Sequence, residues 1–163
     1  MLSSTRPQVE DPLMGDGKKT GADIGLLILR LTLGGIMIAH GVQKIMVENG
    51  VAKFADTLAG IGVSYQPLAM AITAITTEIG GGFLVVLGLF SRLAALAIAV
   101  LMGVAIVLVH WKNGFWLPLE ITPEAVAGQK IPQGFEYCLA LLSMALCILF
   151  AGPGHIRVPV GKG

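Results

Sequence analysis

The chain has 163 residues and a net charge of +1; 55% of its residues are hydrophobic and 13% are charged. A soluble domain carries about a quarter charged residues, so this composition and a mean hydropathy of +0.80 exclude a soluble protein and indicate an integral membrane protein. The near-neutral charge provides no basic patch for nucleic acid, and the two cysteines, nine residues apart, form no metal or redox motif.

The N-terminal segment is polar and rich in glycine and proline. It lacks the charged start and short apolar stretch that mark a signal peptide. We predict that residues 1–23 form a mostly disordered cytoplasmic tail. Residues 24–154 are predicted to form one membrane domain, and residues 155–163 a short C-terminal tail.

Four apolar stretches follow the tail, at residues 24–46, 68–90, 93–111 and 134–151. Each is near the ~20 residues that a helix needs to cross ~30 Å of hydrocarbon. Lipid cannot satisfy free backbone groups, so the stretches are predicted to be helices. The expected fold is an all-α membrane protein, a four-transmembrane-helix antiparallel bundle.

The links between the stretches set the topology. Three residues, Phe90–Arg92, join the second and third stretches, which predicts a tight antiparallel hairpin. The link of residues 47–67 has apolar residues at helical spacing and ends at Pro67, a residue suited to start a helix. We predict a short interfacial helix between helices 1 and 2. The apolar residues are Val51, Phe54, Ala55, Leu58 and Ile61.

Antiparallel order places both long links, residues 47–67 and 112–133, on the same side of the membrane. The side of the termini carries six lysine and arginine residues, and the side of the long links carries four. The six lie in much shorter segments, and positive charge in short segments favours the cytoplasm. We therefore predict that both termini are cytoplasmic.

Several ionisable residues interrupt the apolar stretches, where a charge costs at least ~2.5–3.5 kcal/mol at the centre of the bilayer. Glu78 lies too deep in the second stretch to reach water, so its carboxylate is expected to be paired or protonated. Arg30 lies nearer the opposite surface. The others fall in the outer third of the bundle: His40, Lys44, His110 and Glu136.

His40 and Lys44 are four residues apart and share one face of the first helix. We predict that this face meets Glu78 and Glu136 in a polar pocket that opens toward the long links. Imidazole and a desolvated carboxyl group suit proton-coupled chemistry. Glu78 and His40 are the predicted catalytic residues, and the remainder are predicted to bind substrate: Arg30, Lys44, His110 and Glu136.

Other interpretations of these residues stay open. Buried ion pairs can simply fix which helix packs on which. His110 lies beside Trp111 and suits an interface position with no further role. Two histidines and two glutamates could hold a metal ion, although no short-spaced ligand motif supports this. His40 and His110 lie at a depth that would allow them to hold a haem.

Motifs in all four stretches resemble the DoxX family of small four-helix membrane proteins. The first-helix motif is RLTLGGIMIAHGVQKI, and the second and third helices match in EIGGGFLVVLGLFSRLAALAIAVLMGVAI. VHWKNGFW and FEYCLALLSMALCILFAGPG are similar to the family's later outer loop and last helix. The chain departs at its end, where HIRVPVGKG replaces the polar serine and aspartate that often follow Gly-Pro-Gly in the family.

The resemblance implies a multi-pass protein of the cell inner membrane with a role in redox biology. The related DoxD branch is a subunit of a thiosulfate:quinone oxidoreductase, and other members are implicated in thiol and oxidative-stress complexes with soluble partners. By residue match, the resemblance carries over Arg30, His40, Lys44, Glu78 and Arg92, and less closely His110.

The expected function is that of a redox-associated subunit whose pocket accepts a quinone or a small sulfur or anionic substrate. No intrinsic cofactor is expected, so electrons would come from a membrane or soluble redox partner or from the substrate. Whether the chain is itself an enzyme therefore stays open. The alternative is a non-catalytic assembly or accessory subunit that docks a partner complex, and a small transporter is a third option. Expected partners are the lipid bilayer and a membrane or soluble redox protein; an oligomer of the chain itself stays open, and nucleic acid is not expected.

Overall fold

The computed structural model describes the backbone of residues 12–116 and 133–158, and the side chains of residues 20–116 and 133–158. All regular structure in these ranges is helical. The helices are α1 (Pro12–Met46), α2 (Gly50–Gly60), α3 (Pro67–Leu87), α4 (Ser91–Asn113) and α5 (Glu136–Ala151).

Three of the helices are long and apolar enough to cross a membrane. They are α1 from Thr20, with 27 residues, α3 with 21 residues, and α4 with 23 residues. The fourth apolar helix, α5, has 16 residues and is shorter than this length. The structure therefore confirms an all-helical protein with helices of spanning length, whereas the four-crossing bundle stays a prediction.

The start of α1 corrects the predicted tail. The helix begins at Pro12, so residues 12–23, predicted to be mostly disordered, are helical. Proline is well suited to the first position of a helix, and extending an existing helix is far easier than starting one. Once the apolar part of α1 is helical, the helix can therefore extend toward the N-terminus through the polar residues 12–23. Residues 1–11 lie outside the described part of the chain.

The connections agree with the topology predicted from the sequence. α3 and α4 form the expected hairpin, and Gly88 ends α3 with a φ of 77°. The N–H groups of Gly88 and Leu89 donate to the carbonyls of Val85 and Leu84, which is the hydrogen-bond pattern of a Schellman motif. The predicted helix between the first two spans is α2, and Pro67 begins α3 as expected.

α1 and the C-terminal half of α3 approach closely at two glycines. A Cβ atom added at Gly34 would lie 2.5 Å from Val86 Cγ2 and 2.6 Å from the carbonyl oxygen of Gly82. A Cβ atom at Gly82 would lie 2.8 Å from the carbonyl oxygen of Gly34. Small residues permit such approaches where lipid removes the hydrophobic drive for helix association. This contact fixes α1 against α3 and thereby positions the residues farther along both helices.

Gly34→Ala is expected to lower stability by about 1–3 kcal/mol, because the backbone oxygen in its way cannot rotate aside. Gly35→Ala is the matched control: its Cβ atom would meet nothing within 4 Å. That change should stabilise the helix by up to about 1 kcal/mol through helix propensity. Thermal unfolding of both variants in detergent measures the difference. Equal unfolding temperatures would contradict the close helix contact.

Candidate functional site

A cavity of about 500 Å³ lies among α1, α3, α4 and α5, near the end of these helices that α2 covers. This end is called the outer end. α2 covers the cavity with Phe54 and Leu58, and Ile61, the residue that follows α2, also lines it. Most of the remaining wall is apolar. The polar side chains in the wall belong to His40, Lys44, Glu78, His110, Gln133 and Tyr137.

Lys44 and Glu78 form an ion pair in the wall of this cavity. The Lys44 ammonium donates to both oxygens of the Glu78 carboxylate. The glutamate side chain is 7% exposed and the lysine side chain 24% exposed. The Lys44 Nζ atom also lies 4.9 Å from the centre of the Phe54 ring, close enough for a cation–π interaction. The carboxylate predicted to need a partner therefore has one, and α2 supplies a second contact to that partner.

The helix geometry around Glu78 is irregular. Glu78 lies in a π-helical turn, Thr77–Gly81, inside α3. A second π-helical turn, Ile106–His110, lies inside α4 and ends at another residue of the cavity wall. Such turns are rare and occur often at functional sites, because the extra residue alters the direction of the neighbouring side chains. Both turns border the same cavity.

His40 and Tyr137 form the second polar pair of the cavity. The His40 Nε2 atom lies 3.1 Å from the Tyr137 hydroxyl oxygen, and the ring centres are 5.8 Å apart. This contact joins α1 to α5. His40 lies at an exposed position of α1, whereas Glu78 is buried. The two predicted catalytic residues thus have separate partners, and Glu78 pairs with Lys44 rather than with His40.

His110 contacts the backbone of the segment that leads into α5. Its Nδ1 atom lies 2.9 Å from the carbonyl oxygen of Gln133, and the side-chain amide of Asn113 donates to the same oxygen. Because a carbonyl oxygen only accepts, Nδ1 carries the hydrogen. In the neutral ring Nε2 is then left as an acceptor. His110 therefore lines the cavity as predicted and also has a structural contact.

Arg30 lies away from the cavity, at the opposite, inner end of the bundle. The side chain is 1% exposed. Its guanidinium donates to the carbonyl oxygens of Val85 and Val86 at 2.9 and 2.7 Å, and to those of Pro153 and Ile156 at 2.8 and 2.6 Å. Arg30, predicted to bind substrate, therefore does not line this cavity. The guanidinium instead joins α1, the end of α3 and the segment after α5.

Glu136 also lies outside the cavity wall. It is the first residue of α5, and its backbone N–H donates to the carbonyl oxygen of Phe115 at 3.1 Å. The neighbouring residue, Tyr137, faces the cavity instead, because each residue turns a helix by about 100°. Sequence reasoning missed Tyr137 by following charge alone. The buried residues Cys138 and Leu141 mark the inward face of α5 and point to Tyr137 at its edge.

The open alternative of a bound metal ion receives no support from the described part of the chain. Among residues 20–116 and 133–158, no three histidine, cysteine, aspartate or glutamate side chains lie close enough together to hold a metal ion. The two cysteines in these ranges are free, with Cys138 buried and Cys147 exposed.

Comparison with known proteins identifies a matching family and two similar proteins. The model of the DoxX family matches residues 25–111. "Inner membrane protein YphA" of Escherichia coli (strain K12) is 31% identical over 134 residues, which cover 82% of this chain and 86% of the relative. "Putative oxidoreductase CatD" of Bacillus subtilis (strain 168) is 30% identical over 126 residues, covering 77% and 79% of the two chains. No solved structure matches the chain significantly.

Proposed function

The chain belongs to the DoxX family of membrane proteins, and from this premise we propose that it is a redox-associated subunit of the inner membrane. Its cavity binds a quinone or a small sulfur-containing or anionic substrate. The observation that carries the proposal is the placement of two polar pairs, Lys44 with Glu78 and His40 with Tyr137, in an otherwise apolar cavity.

The cavity has the chemical character that an amphiphilic ligand needs. Its apolar wall suits a hydrophobic ring or tail, while its few polar groups can orient oxygen atoms. Met70, Val104 and Leu108 belong to the wall and are 43%, 43% and 37% exposed. The wall between α3 and α4 thus reaches the apolar outer surface of the protein. A ligand dissolved in lipid could enter there without crossing water.

In this proposal the chain crosses the membrane four times and both termini are cytoplasmic, because the short segments on the side of the termini carry more positive charge. α5 is the fourth crossing. It packs along α4 and buries Leu141, Ala145 and Ile148. Its 16 residues span ~24 Å, a shortfall that local thinning of the bilayer accommodates at modest cost.

The polar residues divide the work of binding and proton handling. The Lys44 ammonium uses two of its N–H groups on Glu78 and can donate the third to a ligand oxygen. Tyr137 and His40 offer a second hydrogen-bonding group at the exposed side of the cavity, where a proton can pass between the tyrosine oxygen and His40 Nε2. A quinone, when bound, supplies two-electron, two-proton redox chemistry, and a partner protein or the sulfur substrate supplies the electrons.

His40→Asn and Tyr137→Phe are expected to reduce the quinone retained by the purified protein about tenfold, the effect of one strong hydrogen bond. The protein is purified into lipid nanodiscs, and quinone is extracted and quantified by mass spectrometry. His155→Asn and Tyr65→Phe are matched controls, since neither residue lines the cavity. Both should retain quinone at the wild-type level.

Wild-type protein free of quinone, or variants that keep it at the wild-type level, would refute quinone as the ligand. A visible spectrum of the same sample before and after dithionite tests the haem alternative. A haem absorption band that is lost in His40→Asn would replace the quinone proposal with haem held by His40 and His110.

The second candidate is a non-catalytic accessory subunit. The observation that favours it is the ion pair between Lys44 and Glu78, whose sole role would then be to hold α1 against α3. Under this function His40→Asn and Tyr137→Phe leave both the assembled complex and its activity unchanged. Under the redox function the same variants assemble normally and lose activity.

A further inference from the structure

A second cavity, of about 560 Å³, lies at the inner end of the bundle. It is bordered by the first residues of α4, the end of α5 and the segment that follows α5. The residues of the proposed quinone cavity do not take part in it. We propose that this inner cavity binds a phosphate group, carried by the headgroup of an anionic phospholipid.

The charged residues of the inner cavity are cationic. Arg92 and Arg157 both line it, and no aspartate or glutamate of the described ranges does. Among the described residues, Arg92 has one hydrogen bond, 3.5 Å long, to the carbonyl oxygen of Phe150. Arg157 has no hydrogen bond or ion pair among the described side chains. The nearby carboxylate of Asp23 is held by His155, through its backbone N–H and its ring.

Ser91 adds an independent sign of a ligand. It lines the inner cavity and is 2% exposed, yet its hydroxyl has no hydrogen-bond partner among the described residues. A buried hydroxyl without a partner is destabilising. Ser91 is also the first residue of the 23-residue helix α4. The N–H groups of Leu93 and Ala94 donate to the carbonyl oxygen of Phe90, which leaves those of Ser91 and Arg92 without an acceptor within the helix. The Ser91 hydroxyl, the first two N–H groups of α4 and two guanidiniums together suit a phosphate.

The surroundings favour a phosphate attached to lipid. Phe90 and Leu93 line the same cavity and are 74% and 67% exposed. They lie where α4 enters its apolar span, at the level of the lipid headgroups. A phospholipid can therefore place its phosphate against the arginines and its acyl chains against these two side chains. Basic pockets between membrane helices recognise anionic headgroups in this way.

The test is a titration of the purified, delipidated full chain with phosphatidylglycerol and with phosphatidylcholine, followed by native mass spectrometry. The wild type is expected to prefer phosphatidylglycerol. The variant Arg92→Gln/Arg157→Gln should lower the affinity for phosphatidylglycerol about thirtyfold, since each basic residue near the membrane surface contributes roughly fivefold. The control Lys53→Gln/Lys112→Gln removes the same charge at the outer end and should leave the preference unchanged.

Ser91→Ala separates binding from folding. Without lipid it should unfold at the same or a higher temperature than the wild type, because an unpaired buried hydroxyl is removed. With phosphatidylglycerol it should gain less thermal stability than the wild type. An unchanged gain in Ser91→Ala together with an unchanged preference in the double arginine variant would overturn the proposal. If millimolar inorganic phosphate displaces phosphatidylglycerol completely, the cavity is an anion site, but a lipid is not its specific ligand.

Discussion

Arg30→Leu is expected to lower the stability of the protein by about 4 kcal/mol or more, or to prevent its folding. Four hydrogen bonds from the guanidinium are lost, and hydrogen bonds from a charged group each contribute about 1.5–3 kcal/mol. The four carbonyl oxygens would be left without this donor in a region of low dielectric. Chemical unfolding in detergent measures the loss.

Arg92→Leu is the matched control for this change. Arg92 is exposed, and its one hydrogen bond to the described part of the chain is long, so replacing Arg92 should cost less than about 1 kcal/mol in detergent without anionic lipid. Arg30→Lys should recover only part of the stability. A guanidinium spreads its donors over three nitrogen atoms, whereas an ammonium has one nitrogen and cannot bond all four carbonyl oxygens. Equal stability of Arg30→Leu and Arg92→Leu would contradict the conclusion that the hydrogen bonds of Arg30 hold α1, the end of α3 and the segment after α5 together.

Lys44→Met is expected to destabilise the protein by about 3–5 kcal/mol, because it leaves the Glu78 carboxylate buried without its partner. Glu78→Leu should cost less. The remaining ammonium is more exposed than the carboxylate and keeps its contact with the Phe54 ring. The order of the two single variants therefore reports on the different burial of the two groups. Thermal and chemical unfolding in detergent give both values.

The double variant Lys44→Met/Glu78→Leu distinguishes stability from function. Replacing both members of a buried ion pair by apolar residues is often neutral or stabilising, so the double variant should unfold near the wild-type temperature. It should nevertheless retain little quinone, since the polar group at the depth of the cavity is gone. Lys112→Met controls for the removal of an exposed lysine. A stable double variant with normal quinone content and activity would refute a functional role of the pair.

The two sets of variants address different ends of the molecule. Arg30 belongs to the inner end, where it joins the backbone of three segments, and Lys44 with Glu78 belongs to the outer cavity. Their effects on stability should therefore be additive, because the two sites share no hydrogen-bond partner. Lys44 and His110, both predicted to bind substrate, line the cavity, whereas Arg30 does not.

Much of the fold could be predicted from the sequence because it depends on local chemistry. The apolar length of α1, α3 and α4 identifies helices able to cross a membrane, since hydrocarbon permits no unpaired backbone. Pro67 and Gly88 mark a helix start and a helix end through their backbone preferences. The need of Glu78 for a partner also follows from the sequence, because an isolated carboxylate at that depth is prohibitive.

The partners of the polar residues depended on the tertiary structure. A shift of one residue turns a helix face by about 100°, so a charge at the right depth can still point away from the cavity. Glu136 lies outside the wall while Tyr137 enters it, and Glu78 meets Lys44 rather than Arg30 or His40. The two π-helical turns alter the rotation again. Hydropathy thus determined which segments are helices and how deep each charge lies, whereas the packing of one helix against the next decided which side chains meet.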